Sequence, residues 1–374
     1  MTSPLRHLPG PWHTKFTNLR LKWAIVSGQR MHYVHFLHQE YGPVVRLAPS
    51  EASIADAMGF KQIYGNGSGF RKSDWYKAFA QMPRLNSLSE SDEKLHGIRR
   101  RLLSHPYSKS SLRQNWEPIV QEKVKTAVAQ IRAEGSTGEP VDILKWFMLM
   151  TNDVVTHLCF GECFHQIESG QTSEYMKALG KYTTGGVINA EMPVLAAILK
   201  RLPIPACRQL FDSVSIIQTF AQPAVSNMSG TATARNIFSK INDNLEGEKG
   251  GIDDLDVITE ATNQILGGSD TTSNTLTFLI HAVLSSPPLQ KQLEDEVASV
   301  PEQYSDADLE KLTTLNRVIS ETLRLYNAAP SALPRLVPAG GTSICGTFLP
   351  EGSVVSAQSY SLHRLPDVFP DPEK

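Results

Sequence analysis

Apolar residues recur every three or four positions along most of this chain, the spacing that gives a helix one buried face. The clearest stripe is Ile258, Ala261, Ile265, Thr272, Leu276, Leu279 and Val283, which predicts one helix from about Asp254 to Ser285. At 1.5 Å per residue it would run roughly 45 Å. Ser286-Pro287-Pro288 ends it and opens the next helix with proline in the first turn. Val120, Val124, Val128 and Ile131 mark an earlier helix, and helical spacing holds from Ser91 to about Ile198. Arg30–Tyr41 and Leu315–Tyr326 predict two more, and Ser305 with Asp308 resembles a capping box. Towards both ends the period falls to two. Val44–Pro49 and Ala52–Ala55 predict a short hairpin, and Thr347–Ser356 alternates β-branched residues with Pro and Gly. The polar segment Ser226–Gly251 predicts a loop. The fold class is therefore mostly α with small β sheets (α+β), in a single domain over 1–374. Its helical core spans 91–326, with β portions near 44–55 and 335–360.

Composition narrows the function only by exclusion. With 36 basic against 38 acidic residues, a net charge of −2 gives no case for nucleic acid as a partner. Four cysteines are too sparse for a disulfide framework and point to a reducing compartment. No stretch approaches the roughly 18–20 apolar residues needed to span a bilayer.

Chemistry enters at the middle of the longest helix, Leu266-Gly-Gly-Ser-Asp-Thr-Thr-Ser-Asn-Thr-Leu276. Each interior glycine costs about 1 kcal/mol relative to alanine, and the polar residues are mediocre helix formers. Gly267 and Gly268 remove side chains, so something flat can approach the backbone. Thr271 and Thr272 can bond carbonyls one turn back and loosen the ladder there. Asp270 beside Thr271 sets a carboxyl next to a hydroxyl, the parts of a proton relay. A core helix with a small-residue crossing point would read the same way. Glu321 lies on the stripe of Val318 and Leu325, and Arg324 can pair with it one turn on; an ordinary surface pair is the alternative. His96 and Arg100 share a helix face suited to an anionic group, or to water alone. A Pro-framed segment, Ala329–Arg335, presents Arg335. His157, Cys159, Cys163 and His165 offer metal-ligand atoms, but their apolar helical context favours buried structural residues over zinc.

Taken in order, Gly267-Gly-Ser-Asp-Thr-Thr272, Glu321-x-x-Arg324, Leu333-Pro-Arg335, His363-Arg364 and Phe369-Pro-Asp-Pro372 resemble the haem-thiolate monooxygenases, the cytochromes P-450. The resemblance extends from Leu8-Pro-Gly-Pro11 through Tyr41-Gly-Pro43 to the last residue. Lys72-Ser-Asp-Trp-Tyr76 and His96–Leu103 are most similar to the fungal, secondary-metabolism branches. What the resemblance implies is the family's fold, haem b as cofactor, and oxidation of a lipophilic small molecule with O2. Electrons would come from NADPH through a flavoprotein reductase. Asp270 and Thr271 would deliver protons to dioxygen, with Gly267 and Gly268 facing the haem. Glu321 and Arg324 would hold the haem-proximal wall, while His96, Arg100 and Arg335 would bind the propionates. Histidine at 96 stands where the family usually has tryptophan. Substrate contacts would fall in Ser73–Leu88, Val187–Ile198 and Ala328–Leu333. Met192, Val194, Leu195, Ile198 and Leu333 there imply a lipophilic substrate.

The same resemblance puts the iron-ligating cysteine in a Gly- and Arg-containing loop beyond Pro372, and the sequence given stops at Lys374. None of Cys159, Cys163, Cys207 and Cys345 has that setting, so no metal ligand is assigned. The expectation is a monooxygenase by lineage, truncated before its haem-ligand loop. Its alternative is an inactive fragment or incomplete gene model that keeps at most a hydrophobic pocket. Glu321 and Arg324, short of a further arginine partner, should then be buried and destabilising. Family members in fungi are usually anchored to the endoplasmic reticulum membrane. As written this chain shows no anchor and reads as soluble and cytoplasmic, with Val194–Leu202 able to touch a membrane surface.

Overall fold

A computed structural model describes residues 3–82, 84–226, 236–238 and 253–373. The loop expected over 226–251 therefore lies almost wholly outside the described residues. The N-terminal helices are α1 (Leu19–Val26), α2 (Arg30–Tyr41), α3 (Ala57–Tyr64) and α4 (Trp75–Ala80). Next come α5 (Glu93–Ser104), α6 (Lys109–Asn115), α7 (Glu117–Gly135), α8 (Ile143–Phe160) and α9 (Gln166–Ser169). They are followed by α10 (Glu174–Glu191), α11 (Pro193–Arg201), α12 (Pro205–Phe220) and α13 (Gln222–Ser226). The long central element is α14 (Asp254–Gly268) and α15 (Asp270–Leu284), after which α16 (Pro287–Val297), α17 (Asp306–Leu309), α18 (Thr313–Leu325) and α19 (Ser359–Leu362) complete the set. Local sequence sets several of the starts. Asp92 accepts from the amides of Lys94 and Leu95 ahead of α5, Asp253 and Asp256 form a capping box ahead of α14, and prolines open α11, α12 and α16.

The two β portions are parts of one sheet. Strands β1 (Val44–Ala48) and β2 (Glu51–Ile54) form the expected hairpin, β3 (Arg71–Lys72) is a further short strand, and β4 (Arg335–Leu336) and β7 (Val354–Ser356) come from the far end. Their order is β1-β2-β7-β4-β3, with β2 and β7 parallel and the other pairs antiparallel. Separately, β5 (Thr342–Ile344) and β6 (Thr347–Leu349) make a hairpin. The sheet carries a core of Leu5, Leu8, Ile54, Ile63, Val337, Leu349 and Val355. A second core, of Cys159, Phe160, Tyr175, Leu179, Ile258, Ala261 and Ile265, lies where α8, α10 and α14 meet. Each such fully buried aliphatic or aromatic side chain stabilises by about 1.5–3 kcal/mol. The N-terminal segment is held by Arg46, wholly buried and, among the described residues, without a carboxylate partner. Its guanidinium donates to the carbonyls of Leu5, Leu8, Gly10 and Pro11 and to the Thr14 hydroxyl. The expected α+β class is what the chain adopts.

Candidate functional site

The central helix is not continuous. It breaks at Ser269, where ψ turns to −77°, and resumes at Asp270. The break sits ahead of the threonines expected to cause it. Ser269 is buried, its hydroxyl bonds the Ile265 carbonyl at 2.8 Å, and its own carbonyl accepts from Thr151 of α8 at 3.2 Å. The stripe shifts with the break. Thr272, expected on the buried face, is exposed, and Ser273 takes that face instead. Thr271 does behave as its position suggests, donating to the Gly267 carbonyl at 2.5 Å. Asp270 is solvent-exposed on one side, yet partial burial holds its carboxyl above the usual carboxylate range.

The two glycines have different surroundings. A Cβ on Gly268 would stand 3.1 Å from Cγ2 of Val155, so this glycine lets α14 and α8 approach closely. A Cβ on Gly267 would meet nothing within 4 Å. Of the pair, Gly267 is the one that leaves open space.

One turn before Gly267, on the same face, Asn263 reaches the segment that leads into α5, with its amide 3.3 Å from the Ser87 hydroxyl. Near that segment four basic side chains converge from three elements: Lys72 of β3, His96 and Arg100 of α5, and Arg335 of β4. Lys72 and Arg335 face each other in the strand register. Arg335 donates to the Tyr76 hydroxyl at 2.6 Å and its guanidinium lies over the rings of Tyr64 and Tyr76. Burial, with Lys72 and Arg100 nearby, lowers the His96 pKa. Burial and then Arg335 push Lys72 down to about 8. Among the described residues none of the four is ion-paired with a carboxylate. Their neighbour Arg99 is, to Asp256 at 2.9 Å and Glu260 at 3.6 Å. A cluster of cations that forms no ion pair among the described residues fits a ligand bearing carboxylates. Sequence reasoning placed His96, Arg100 and Arg335 but missed Lys72 as a member, because only the β3–β4 pairing brings it to them.

Arg324 forks onto Glu321 at 2.6 and 2.8 Å, as expected, but of the two residues expected to be buried only Arg324 is. Glu321 is 50% exposed and Arg324 8%. Arg324 uses Nη1 for the carbonyls of His363 and Pro372, at 2.9 and 2.8 Å, and lies over the Phe369 ring. Neither group is an orphaned buried charge, so the expected destabilisation at this pair has no basis among the described residues. The pair sits on the flank of α18, joining it to the segment of the His363 and Pro372 motifs.

Trp75, Ala78, Val187, Ala190, Ser331 and Ala332 line one cavity of about 590 Å3, so the three segments expected to touch substrate do come together. The apolar residues singled out there face elsewhere. Val194, Ile198 and Leu333 are 74%, 52% and 50% exposed. Among the described residues no cluster of three metal-ligand side chains occurs. Cys159 is buried in the helical core and Cys345 sits at the β5–β6 turn. Cys163 is partly buried and His165 exposed, which corrects the expectation that this whole group is interior.

A family model described as cytochrome P-450 matches residues 9–374. The chain is 37% identical to the cytochrome P-450 monooxygenase stcB of Emericella nidulans, over 99% of its own length and 72% of that protein's. It is equally 37% identical to the cytochrome P-450 monooxygenase aflV of Aspergillus parasiticus, covering 99% and 74%. It is 32% identical to the methylphloroacetophenone oxidase of Cladonia uncialis, over 100% of this chain and 85% of that one.

Proposed function

Because the chain belongs to the cytochrome P-450 family of haem-dependent monooxygenases, we propose that Lys72's neighbours His96, Arg100 and Arg335 would hold the carboxylates of haem, and that the open face of α14 at Gly267 would leave room for it. The observation that carries this reading is the group of basic side chains without ion-pair partners among the described residues, beside a segment that Asn263 touches one helical turn before the glycine whose Cβ position is empty. Haem, when bound, supplies the oxidative chemistry that no side chain here can perform. The residues of the chain supply position and protons. Thr271 keeps its hydroxyl on the Gly267 carbonyl and can turn it outward to donate. Asp270, open to water and raised in pKa, can take up a proton from solvent and give it up beside Thr271, whose hydroxyl would hand on its own proton as it accepts another. Glu321 and Arg324 fix the segment of residues 363–372 against α18.

The substrate reading is a lipophilic, aromatic small molecule of fungal secondary metabolism. Support comes from the acylated phenol in the name of the Cladonia uncialis oxidase, while the cavity wall is mixed, with Trp75, Val187 and Ala190 beside Lys22, Glu51 and Glu191. Electrons would be delivered by an NADPH-dependent flavoprotein reductase. Contact with a membrane surface is supported by the exposed apolar residues of α1 and α11.

Titration of the purified chain with haem tests this reading. One equivalent should bind, with a Soret band that shifts when acylated phenols are added. Arg100→Ala and Arg335→Ala should each weaken uptake about tenfold, the effect of one lost charge-assisted contact. Absence of haem uptake by the unaltered chain, or uptake indifferent to both arginines, would sink the assignment. A Soret response to small polar compounds but to no lipophilic one would overturn the substrate class.

A further inference from the structure

Ser87 is gripped from both sides. Its amide donates to Glu260 Oε1 at 2.7 Å and its hydroxyl to Oε2 at 2.9 Å, while its carbonyl accepts from Lys72 Nζ at 2.7 Å. Glu260 is 1% exposed and lies on α14, two turns ahead of Gly267. One residue thus joins the central helix to the strand that carries Lys72. The ammonium of Lys72 has three donors. The Ser87 carbonyl accepts one of them, and the Tyr76 ring lies 5.9 Å from Nζ. The groups around it are Arg335 on β4, Arg100 and His96 on α5, the buried Glu90, and Glu260 beyond Ser87. Glu90 is committed to the Asp92 amide and Glu260 to Ser87. Neither pairs directly with the lysine.

A lysine set among two arginines and a histidine is electrostatically costly unless an anion joins them. The surrounding contacts leave it able to turn remaining donors towards that anion without giving up Ser87. We propose that Lys72 is a fourth cation binding the carboxylates of the cofactor, and that Glu260, acting through Ser87, is the positioning residue that aims it. The inference rests on the haem-carboxylate reading above and extends it to two residues outside that set. Glu260 touches no ligand in this account. It fixes the distance between the carboxylate cradle and the helix face at Gly267.

The test uses metal-free protoporphyrin IX, which carries both carboxylates, and its dimethyl ester, which carries none. Binding is read by porphyrin fluorescence and absorbance. Lys72→Met should weaken protoporphyrin binding about tenfold and leave the diester unchanged, and Lys72→Arg should restore most of the loss. Glu260→Gln should weaken protoporphyrin several-fold, again sparing the diester. In the unaltered chain, protoporphyrin should protect Lys72 from acetic anhydride, read by peptide mass spectrometry, several-fold more than the diester does. This arm stands even if Lys72→Met does not fold. Equal losses for acid and ester, or equal protection by both, would reduce Lys72 to a structural residue and overturn the proposal. A Glu260→Gln chain with unchanged protoporphyrin affinity would overturn the positioning role. An unaltered chain that binds neither porphyrin would overturn the haem reading and this inference with it, whereas normal binding by unaltered chain and Lys72→Met alike would overturn this inference alone.

Discussion

His38 is a small case in which burial and hydrogen bonds fix a protonation state. Its Nδ1 lies 2.9 Å from the Gly42 carbonyl, which can only accept, so Nδ1 carries the proton. Nε2, 2.7 Å from the Ser53 hydroxyl, is then the acceptor. Burial pushes the ring pKa down to about 4, against the pull of the Gly42 bond in the other direction. The unfolded ring titrates near 6.5, so between about 6.5 and 4 unfolding takes up a proton and stability falls as pH falls. At about 1.4 kcal/mol per unit the full effect is on the order of 3 kcal/mol. In urea melts from pH 7 to 4, His38→Gln should flatten the decline relative to the unaltered chain. An identical slope in both would show that other groups cause it. At this scale the sequence showed residue types and partners better than burial. Glu321 and Arg324 were legible as a pair three residues apart, but which of them is buried depended on where residues 363–372 fold back. With Glu321 half in water, the pair is worth little as an ion pair. Its importance is in the two carbonyls Arg324 holds.

Among the elements, the helix broken at Ser269 separates two uses of glycine that stand side by side. Gly268 serves packing against Val155, and Gly267 borders open space. Substitutions should therefore divide. Gly268→Leu should lower stability by about 1–3 kcal/mol through overpacking of α14 on α8. Gly267→Leu should keep or raise stability, since leucine is the better helix former by nearly 1 kcal/mol, while abolishing haem uptake. Thermal midpoints and haem titrations of the two variants give the check; parallel behaviour in both assays would refute the division. The helices α2, α16 and the start of α14 were legible from period, proline and caps. Strand β3 was not, because two residues carry no alternation and pairing with β4 alone defines it. Lys72 was lost from the candidate site for that reason. The Ser269 break was misplaced onto the threonines because its cause, the Thr151 contact from α8, is tertiary.

Across the whole molecule, exposed apolar side chains are widely spread, but one set of them belongs to neighbouring elements. Trp12, Phe16, Leu19, Trp23 and Val26 stand out from the first turns and α1, and Val194 and Ile198 from α11. Lys22 of α1 and Glu191, at the end of α10 just before α11, bridge at 2.5 Å. Glu191 also accepts from the Trp75 indole at 2.6 Å, beside the cavity. Among the described residues no helix is long and apolar enough to cross a membrane. A patch of this kind can still settle into a lipid headgroup layer. Co-sedimentation with phosphatidylcholine vesicles should fall several-fold in a Trp23→Ser, Val194→Asp, Ile198→Asp variant. Unchanged sedimentation would mean that the patch does not meet lipid.

The sheet order β1-β2-β7-β4-β3 has a consequence for the timing of synthesis. Lys72, His96 and Arg100 leave the ribosome early, but Arg335 and the strands that seat Lys72 follow only after most of the chain. At about 5–20 residues per second, that interval is roughly ten seconds to a minute. Throughout it β3 has no strand beside it, and the hairpin β1-β2 exposes the edge that β7 will later cover. The cluster of Lys72, His96, Arg100 and Arg335 is thus a late product of folding, assembled when β4 and β7 reach β3 and β2. Conditions that prolong that interval would expose an unpaired strand edge to other nascent chains, and loss of yield through aggregation would precede any loss of chemistry.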